Sequence, residues 1–420
     1  MKQFLILLLL PFYSIGQQTN ILSLSKAYEL ATQNFPLIKQ RELLKQTAEI
    51  NIDNLSKGFL PQFGVSGQAT YQSDVSQVII PIPGIKIAPP SKDQYKLAVD
   101  VNQMLYDGGL IKEQKNIQQL NESAEQQKVE VELYKLKEKI NQLFLGVLYL
   151  DEQLQQNILI KQDLNMGIKK TEAQVTNGVA FRSNLNVLKA ELLKADQRAI
   201  EIIASRKGYI DVLGLFLNQP FAADIQLEKP AVSSAGLVND IQRPELKLYN
   251  TQENLLNGQY KIIDARNKPK ASVFAQGGYG RPGLNFLNNE FALFYTSGIR
   301  LNWSFGGWYT QKKEKQLIDI NKKFIGIQKE IFLLNTNTAL KQQDAEINKL
   351  QQLIEKDNEI ITLRINIKET AAAQLENGVI TANDYLREVN AEDQAKQTLI
   401  AHAIQLLQAQ INYQTISGKQ

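Results

Sequence analysis

The pattern of apolar and polar residues divides the chain into long stretches with helical spacing and short stretches of alternation. Two long stretches, from about Leu110 to Phe216 and from about Tyr309 to Tyr413, place apolar residues three and four positions apart. This spacing is typical of packed α-helices. Each stretch is broken near its middle by the tripeptide Asn-Gly-Val, and Gly178 and Gly378 are 200 residues apart. The pattern therefore predicts two helical hairpins in an internally duplicated chain.

The two breaks have the composition of hairpin tips. They are Asn177-Gly178-Val179 and Asn377-Gly378-Val379, and the helical pattern resumes from Ser183 in the first case and from Thr381 in the second. Glycine commonly ends a helix because it adopts the left-handed backbone conformation, and Ser or Thr commonly caps the next helix.

Apolar seams within these stretches resemble those of coiled coils. The first hairpin has them at Leu133, Leu136, Ile140, Leu143, Val147, Leu150 and Leu154, and on the return at Leu185, Leu188, Leu192, Ala195, Ala199 and Ile202. A helix from Leu110 to Thr176 would be about 100 Å long at ~1.5 Å per residue, which is too long for a compact domain. The last helix carries two adjacent apolar stripes, which favours a wall with a neighbour on each side over a two-stranded rod.

Short alternating runs precede each long stretch and predict β-strands. The runs are Phe63–Tyr71, Tyr95–Val101, Val273–Tyr279 and Phe291–Trp303. They form one strand pair within 60–105 and a second within 270–305. Four strands cannot close a barrel, since about eight strands are the fewest that leave a filled interior. If these strands cross a membrane, several chains must share one barrel, because open sheet edges are not tolerated in lipid.

The ends and the middle of the chain set the predicted domains. Residues 1–16, with Lys2 before an apolar core, have the pattern of a secretory signal. Ser25 is expected to cap the first helix. The domains that follow are a first repeat (17–218, hairpin 110–217), an irregular linker (219–243) and a second repeat (244–420, hairpin 308–416).

Composition narrows the chemistry. The chain has no cysteine, which excludes a disulfide framework, a thiol nucleophile and a thiolate metal site. A net charge of +4 at pH 7 is too small to indicate a nucleic-acid partner. His402, the only histidine, lies on an apolar stripe and is expected to be a satisfied imidazole. With no phosphate-binding loop or nucleophile elbow, we expect no enzyme, no cofactor and no metal.

The sequence resembles the TolC-type outer-membrane efflux proteins along essentially the whole mature chain. The resemblance depends on the repeated order, on the strand-to-helix junctions Tyr106-Asp107-Gly108-Gly109 and Phe305-Gly306-Gly307, on the segment Ala31–Pro36, and on the paired tips. It implies an α+β membrane protein in which long antiparallel helical hairpins form a coiled-coil tunnel. The four strands of each chain would contribute to a shared, trimeric, twelve-stranded outer-membrane β-barrel. A ring of twelve helices at ~9–10 Å spacing leaves a bore of about 25 Å.

The resemblance also implies partners and site residues. A homotrimer in the outer membrane would bind a periplasmic adaptor and, through it, an inner-membrane pump of the RND or ABC type, or serve type I secretion. Adaptor docking carries over to the tips Asn177-Gly178-Val179 and Asn377-Gly378-Val379, although these tripeptides could also be plain turns. Candidate residues for a periplasmic constriction are Asp384, Arg387 and Asn186. The alternative is that Asp384 and Arg387 pair along the helix.

Two functions remain open from the sequence. A passive exit duct predicts a lipid-facing strand surface at Phe291, Leu293, Tyr295, Ile299, Leu301 and Trp303, flanked by interfacial aromatics. A structural coiled-coil envelope protein, anchored by a small sheet, predicts a solvated sheet and no need for paired tips. The alternation and the aromatics favour the duct. The sequence does not indicate whether the cargo is a drug, a metal ion or a protein.

Overall fold

A computed structural model describes residues 21–76, 89–231 and 240–419. The predicted signal at 1–16 lies outside the described residues, as does part of the linker at 219–243.

The described part of the chain contains seven α-helices and six β-strands. In order they are β1 (Ile21–Leu22), α1 (Leu24–Asn34), α2 (Lys39–Ser56), β2 (Gln62–Tyr71), β3 (Asp93–Tyr106), α3 (Leu110–Thr176), α4 (Arg182–Leu217), β4 (Gln226–Leu227), α5 (Pro244–Arg266), β5 (Lys270–Arg281), β6 (Ala292–Asn302), α6 (Gly307–Glu376) and α7 (Ala382–Ser417). Apart from the two-residue strands, one order occurs twice: helix, two strands, long helix, shorter helix. The predicted strand pairs and hairpin helices are thus confirmed, while the internal duplication stays an interpretation.

The chain divides into two compact units. The first, here called the hairpin unit, comprises Met1–Ile38, Glu132–Arg243 and Leu334–Gln420. The second, the sheet unit, comprises Lys39–Val131 and Pro244–Leu333. Each unit is described in turn.

The core of the hairpin unit lies where α1 meets the outgoing and returning helices. Ile140 and Phe144 of α3, Leu217 of α4 and Ala27 of α1 are fully buried there, and Ile411 of α7 is buried beside them. Each large apolar side chain buried in this way contributes about 1.5–3 kcal/mol. Nine of the predicted seam residues are buried: Leu133, Leu136, Ile140, Leu143, Val147, Leu185, Leu188, Ala195 and Ile202. The seams therefore pack as their spacing predicts.

Two predicted caps are each wrong by two residues. Ser23, not Ser25, caps α1, and its hydroxyl accepts a hydrogen bond from the backbone N–H of Lys26. The helix α4 begins at Arg182, with Phe181 in the N-cap position and no side-chain bond, so Ser183 lies inside the helix. Several neighbouring hydroxyl residues could have capped either helix, and only the backbone path decides which one does.

The linker is less irregular than the sequence predicts. Its segment β4 pairs in parallel with β1, and Arg206 of α4 anchors the chain beside it. The Arg206 guanidinium donates to the carbonyl of Ile225 at 2.7 Å and also pairs with Asp151. A two-residue strand has no detectable alternation, which is why the pattern missed it.

The sheet unit contains one four-stranded antiparallel sheet in the order β2-β3-β5-β6. The strands β2 and β6 are therefore its edges. At the end of β3 the buried carboxylate of Asp107 accepts hydrogen bonds from the backbone N–H groups of Gly109 (2.8 Å) and Ile111 (2.5 Å). This carboxylate satisfies two free donors at the start of α3, while Gly108 makes the turn with a φ of +79°.

Candidate membrane-facing sheet and hairpin tips

One face of the four-stranded sheet is apolar. The strand register places on this face Phe63 and Val65 of β2, the odd-numbered residues from Tyr95 to Val101 of β3, and Val273 and Tyr279 of β5. The residues of β6 that the sequence predicts to face lipid lie on the same face. Of that set, Leu293, Tyr295, Ile299 and Leu301 lie in β6, and Phe291 and Trp303 lie just beyond its ends.

This apolar face is uncovered in the single chain. Leu293 is 84% exposed, Tyr295 81%, Leu301 78% and Phe63 76%. Apolar side chains on one face of an isolated sheet lack the burial that stabilises ordinary sheets. The face therefore needs an apolar environment that the described residues do not supply.

Aromatic residues gather at both ends of the apolar face. At one end the ring of Phe291 lies 6.1 Å from that of Tyr95 and 5.5 Å from that of Tyr279. Arg281 sits beside this group, with its guanidinium 5.4 Å from the Tyr95 ring and 5.3 Å from the Phe291 ring. We call these residues the first aromatic cluster.

The second aromatic cluster lies where β6 leads into α6. The ring of Phe305 is 4.9 Å from Trp303 and 5.2 Å from Trp308, and the two indoles are 6.1 Å apart. The indole N–H of Trp303 donates to the carbonyl of Asn267 at 3.0 Å. The two indoles, apolar in body with one polar N–H, suit an interface between an apolar phase and water.

The opposite face of the sheet is polar. The side chain of Gln276 accepts from the ammonium of Lys96 at 3.1 Å and donates to the carboxylate of Asp100 at 2.5 Å. Ser66 lies 3.2 Å from the same carboxylate. A two-faced sheet of this kind separates an apolar environment from an aqueous one.

Both hairpin tips have the same backbone geometry. In the first, the N–H of Val179 donates to the carbonyl of Gln174 at 2.9 Å and that of Gly178 to Val175 at 3.1 Å. In the second, Val379 and Gly378 repeat these bonds at 2.9 and 3.1 Å. The glycine φ angles are +75° and +70°. This pairing is the Schellman motif, which ends a helix abruptly and requires a left-handed residue.

The residues after each glycine are apolar and point into open space. Val179 is 75% exposed and Val379 70%. Phe181 at the first tip is also exposed, and the sequence analysis did not select it. Its place in the N-cap position, where Ser or Thr is the usual residue, is the signal that could have identified it.

The second tip is closed by a capping box. Asp384 accepts hydrogen bonds from both the hydroxyl and the backbone N–H of Thr381, and the Thr381 hydroxyl accepts from the backbone N–H of Asp384. These bonds from Thr381 lower the pKa of Asp384 below its ordinary value. Arg387 pairs with Glu388 at 3.1 Å, and its positive charge also helps to lower the pKa of Asp384. The alternative pairing of Asp384 with Arg387 therefore stays a prediction. Asn186 is exposed near the start of α4.

A cluster of charges lies between the two hairpins, inside the hairpin unit. Lys368 of α6 contacts Asp163 of α3 at 2.8 Å and Glu392 of α7 at 2.7 Å, and Lys396 contacts Glu392 at 2.6 Å. Burial opposes the charge on Glu392, but the hydrogen bonds from the two lysines outweigh it and lower the pKa of this carboxyl. The sequence analysis missed the cluster, because its members lie far apart in the chain.

His402 has a partner within the hairpin unit. Its Nδ1 lies 2.6 Å from Oδ2 of the buried Asp357, which confirms the expected satisfied imidazole. Within the described ranges, no three His, Cys, Asp or Glu side chains are grouped as metal ligands would be. Among the described helices none is both long and apolar enough to cross a bilayer.

These features define the class of fold: a sheet with one uncovered apolar face, and two long hairpins that follow its strand pairs. Solved structures with the same fold include outer-membrane proteins and outer-membrane channels. They include VceC from Vibrio cholerae (15% identity, 94% of this chain and 96% of that chain, TM-score 0.65). They also include CmeC from Campylobacter jejuni (13%, 94% and 85%, 0.61) and the open state of MtrE from Neisseria gonorrhoeae (13%, 94% and 89%, 0.63).

The resemblance to TolC-type outer-membrane channels is confirmed at the level of the fold, over nearly the whole length of both chains. No protein-family model matches the sequence, and the search of curated proteins gave no match.

Proposed function

We propose that this chain is the passive outer-membrane duct of an efflux or secretion system and works as a homotrimer. The observation that carries the proposal is the sheet, whose apolar face is uncovered and bounded at both ends by aromatic clusters. Substrates would pass through an aqueous bore, and no chemical step is required of the protein.

The dimensions of the sheet support a membrane position. The stretch from Tyr95 to Tyr106 rises about 36 Å along β3 at ~3.3 Å per residue. A tilt of about 45° reduces this rise to roughly 25 Å along a barrel axis, which matches the apolar band of outer-membrane barrels. A solvated sheet in a structural rod would have no reason to match this thickness.

The sheet edges support a shared barrel. Strands β2 and β6 each have a neighbour on one side only within the described sheet. In hydrocarbon an open edge leaves backbone groups without hydrogen bonds, at a cost of several kcal/mol per group. Three copies joined from β6 to β2 would remove every edge and give twelve strands.

The helix α6 supports the same conclusion independently. Its residues Leu317, Ile320, Phe324, Ile327 and Ile331 alternate in steps of three and four, and each is 47–60% exposed. This is a complete coiled-coil seam that the part of the chain described by the structure leaves exposed. A second copy is the natural partner, since self-association of a symmetric oligomer buries the same surface in every subunit.

A direct experiment tests the duct. The purified chain in detergent is expected to have the mass of three subunits, and its addition to a planar lipid bilayer should give stepwise ionic current. A monomeric mass, or an electrically silent bilayer with correctly folded protein, would refute the proposal and favour the structural coiled-coil protein.

We further propose that the hairpin tips dock a periplasmic adaptor, which couples the duct to an inner-membrane pump of the RND or ABC type. The exposed Val179 and Val379, held by rigid Schellman turns, support this proposal. Substituting both valines with Asp should abolish export in cells without loss of trimer. Asn383→Asp adds the same charge to an exposed position of α7 and should leave export intact. Normal export in the double variant would remove the docking proposal.

Asp384, Arg387 and Asn186 remain proposed residues of a periplasmic constriction. The hydrogen bonds from Thr381 favour the ionised form of Asp384, so a trimer would present three carboxylates at one level. Asp384→Asn keeps an acceptor for the capping box and removes the charge. We expect this variant to retain its stability and to lose sensitivity to block by divalent cations added on the tip side. Unchanged block would exclude Asp384 from the constriction.

A further inference from the structure

The polar face of the sheet carries an unequal number of charges. Register places on it three cations, Lys96 of β3, Lys270 of β5 and Arg300 of β6, and one carboxylate, Asp100 of β3. Each sheet therefore has a net charge of +2 on this face. No other strand residue on this face is ionisable.

The three cations are not neutralised by carboxylates. Within the described residues, no carboxylate oxygen lies within 4.0 Å of the charged nitrogens of Lys96, Lys270 or Arg300. The one carboxylate, Asp100, is occupied by Gln276 and Ser66. Gln276 also accepts from Lys96, so a neutral amide separates the lysine from the acid.

Two of the cations each lie above an aromatic ring, and each ring packs against a glycine of the neighbouring strand. A Cβ at Gly278 would come within 2.5 Å of the ring of Phe294, so this ring covers the glycine closely. The ammonium of Lys96 lies 5.0 Å from the centre of that ring. Cation–π contacts at exposed sites contribute about 0.5–1 kcal/mol, which favours a position of the ammonium above the ring.

Arg300 repeats the arrangement at the other end of the sheet. Its guanidinium lies 4.7 Å from the centre of the Phe274 ring, and a Cβ at Gly298 would lie 3.3 Å from the same ring. Lys96 is level with Gly280, whereas Arg300 is level with Ser272. Lys96 and Arg300 thus occupy two separate levels along the strands, and Asp100 lies between them, level with Gln276.

We infer that this face is an anion-selective lumen wall and that the cargo of the duct includes anionic solutes. The inference rests on the proposed function, because it needs the polar face to line the bore. Twelve strands about 4.8 Å apart and tilted by about 40° give a barrel radius of roughly 12 Å. At 0.1 M salt the Debye length of about 10 Å is close to this radius, so wall charges act across most of the lumen. At 1 M salt the Debye length falls to ~3 Å, and the selectivity should fall with it.

The test is the reversal potential of single trimers in a planar bilayer under a tenfold KCl gradient around 0.1 M. Because three Asp384 carboxylates at the proposed constriction would favour K⁺, the reference protein and all variants carry Asp384→Asn. This reference should give a reversal potential of the sign set by Cl⁻. Arg300→Gln and Lys96→Gln should each move it toward the K⁺ potential, and Asp100→Asn should move it the other way. Arg300→Lys is the matched control, because it keeps the charge and should keep the selectivity.

The outcomes separate the two proposals. Channels that prefer K⁺, or that keep their reversal potential in both Gln variants, would overturn anion selectivity while leaving the duct in place. Protein that gives no current in any form would overturn the duct and this inference with it. Using two independent cation sites guards against the failure of either variant to assemble.

Discussion

The assignment of the apolar face to lipid can be tested with two adjacent residues of β3. Val101 lies on the apolar face, paired across the sheet with Phe63 and Ala275, and Asn102 lies on the polar face. Val101 is also close to the midpoint between Tyr95 and Tyr106, which mark the two aromatic ends. Replacing each in turn by Arg places the same charge on the same strand, one residue apart, on opposite faces.

The two Arg substitutions are expected to change the folding equilibrium constant by amounts that differ more than tenfold. Arg on the lipid face of an outer-membrane barrel near the bilayer midplane costs about 2–4 kcal/mol. Because ~1.4 kcal/mol is a factor of ten, Val101→Arg should lower the ratio of folded to unfolded chain by roughly 30- to 1,000-fold. Asn102→Arg faces water and should change stability by less than about 0.5 kcal/mol, as is usual for surface substitutions.

The assay is urea-induced unfolding of the protein refolded into lipid vesicles, followed by tryptophan fluorescence. Val101→Leu is a second control, because it changes the packing volume without adding charge. Equal losses for the two Arg variants would mean that both faces contact the same medium. A stable Val101→Arg variant would refute the assignment of this face to lipid.

Three further outcomes follow from the geometry. Gly378→Ala should destabilise the chain by about 1–2 kcal/mol, because the glycine φ of +70° is left-handed. Gly326→Ala is the control: a Cβ there, within α6, would meet open space and should stabilise the chain by about 0.5–1 kcal/mol. Thermal unfolding measures both variants, and equal effects would contradict the left-handed turn. Phe324→Asp should make the detergent-solubilised protein monomeric, and the neighbouring Lys323→Asp should leave it trimeric, as measured by light scattering. A trimeric Phe324→Asp variant would refute the proposal that the α6 seam joins subunits. The lowered pKa of Glu392 means that this carboxylate stabilises the fold above its ordinary pKa, and that the stabilisation is lost as the pH falls through the folded-state pKa. In Glu392→Gln the free energy of unfolding should therefore depend less on pH in the acidic range. An unchanged dependence would show that the two lysines do not stabilise the ionised form.

Local pattern determined the order of the elements. The step of three and four at Leu133–Leu154 needed only neighbouring turns of one helix to be recognised. The left-handed residues at Gly178 and Gly378 likewise follow from short-range sterics, since glycine alone lacks the Cβ that penalises this conformation. Alternation along Phe291–Trp303 identified one apolar face before any pairing was known. These features depend on residues close together in the chain, so the sequence contains them directly.

Tertiary structure decided which distant residues meet. The register that sets Lys96, Gln276 and Asp100 side by side joins strands 180 residues apart, and nothing in the alternation specifies that pairing. The charge cluster at Lys368 and Glu392 likewise joins separate helices, and Asp384 forms a hydrogen bond with Thr381. Such contacts depend on how whole elements pack and on which of several polar partners the backbone brings within ~3 Å. A one-dimensional pattern does not carry that information.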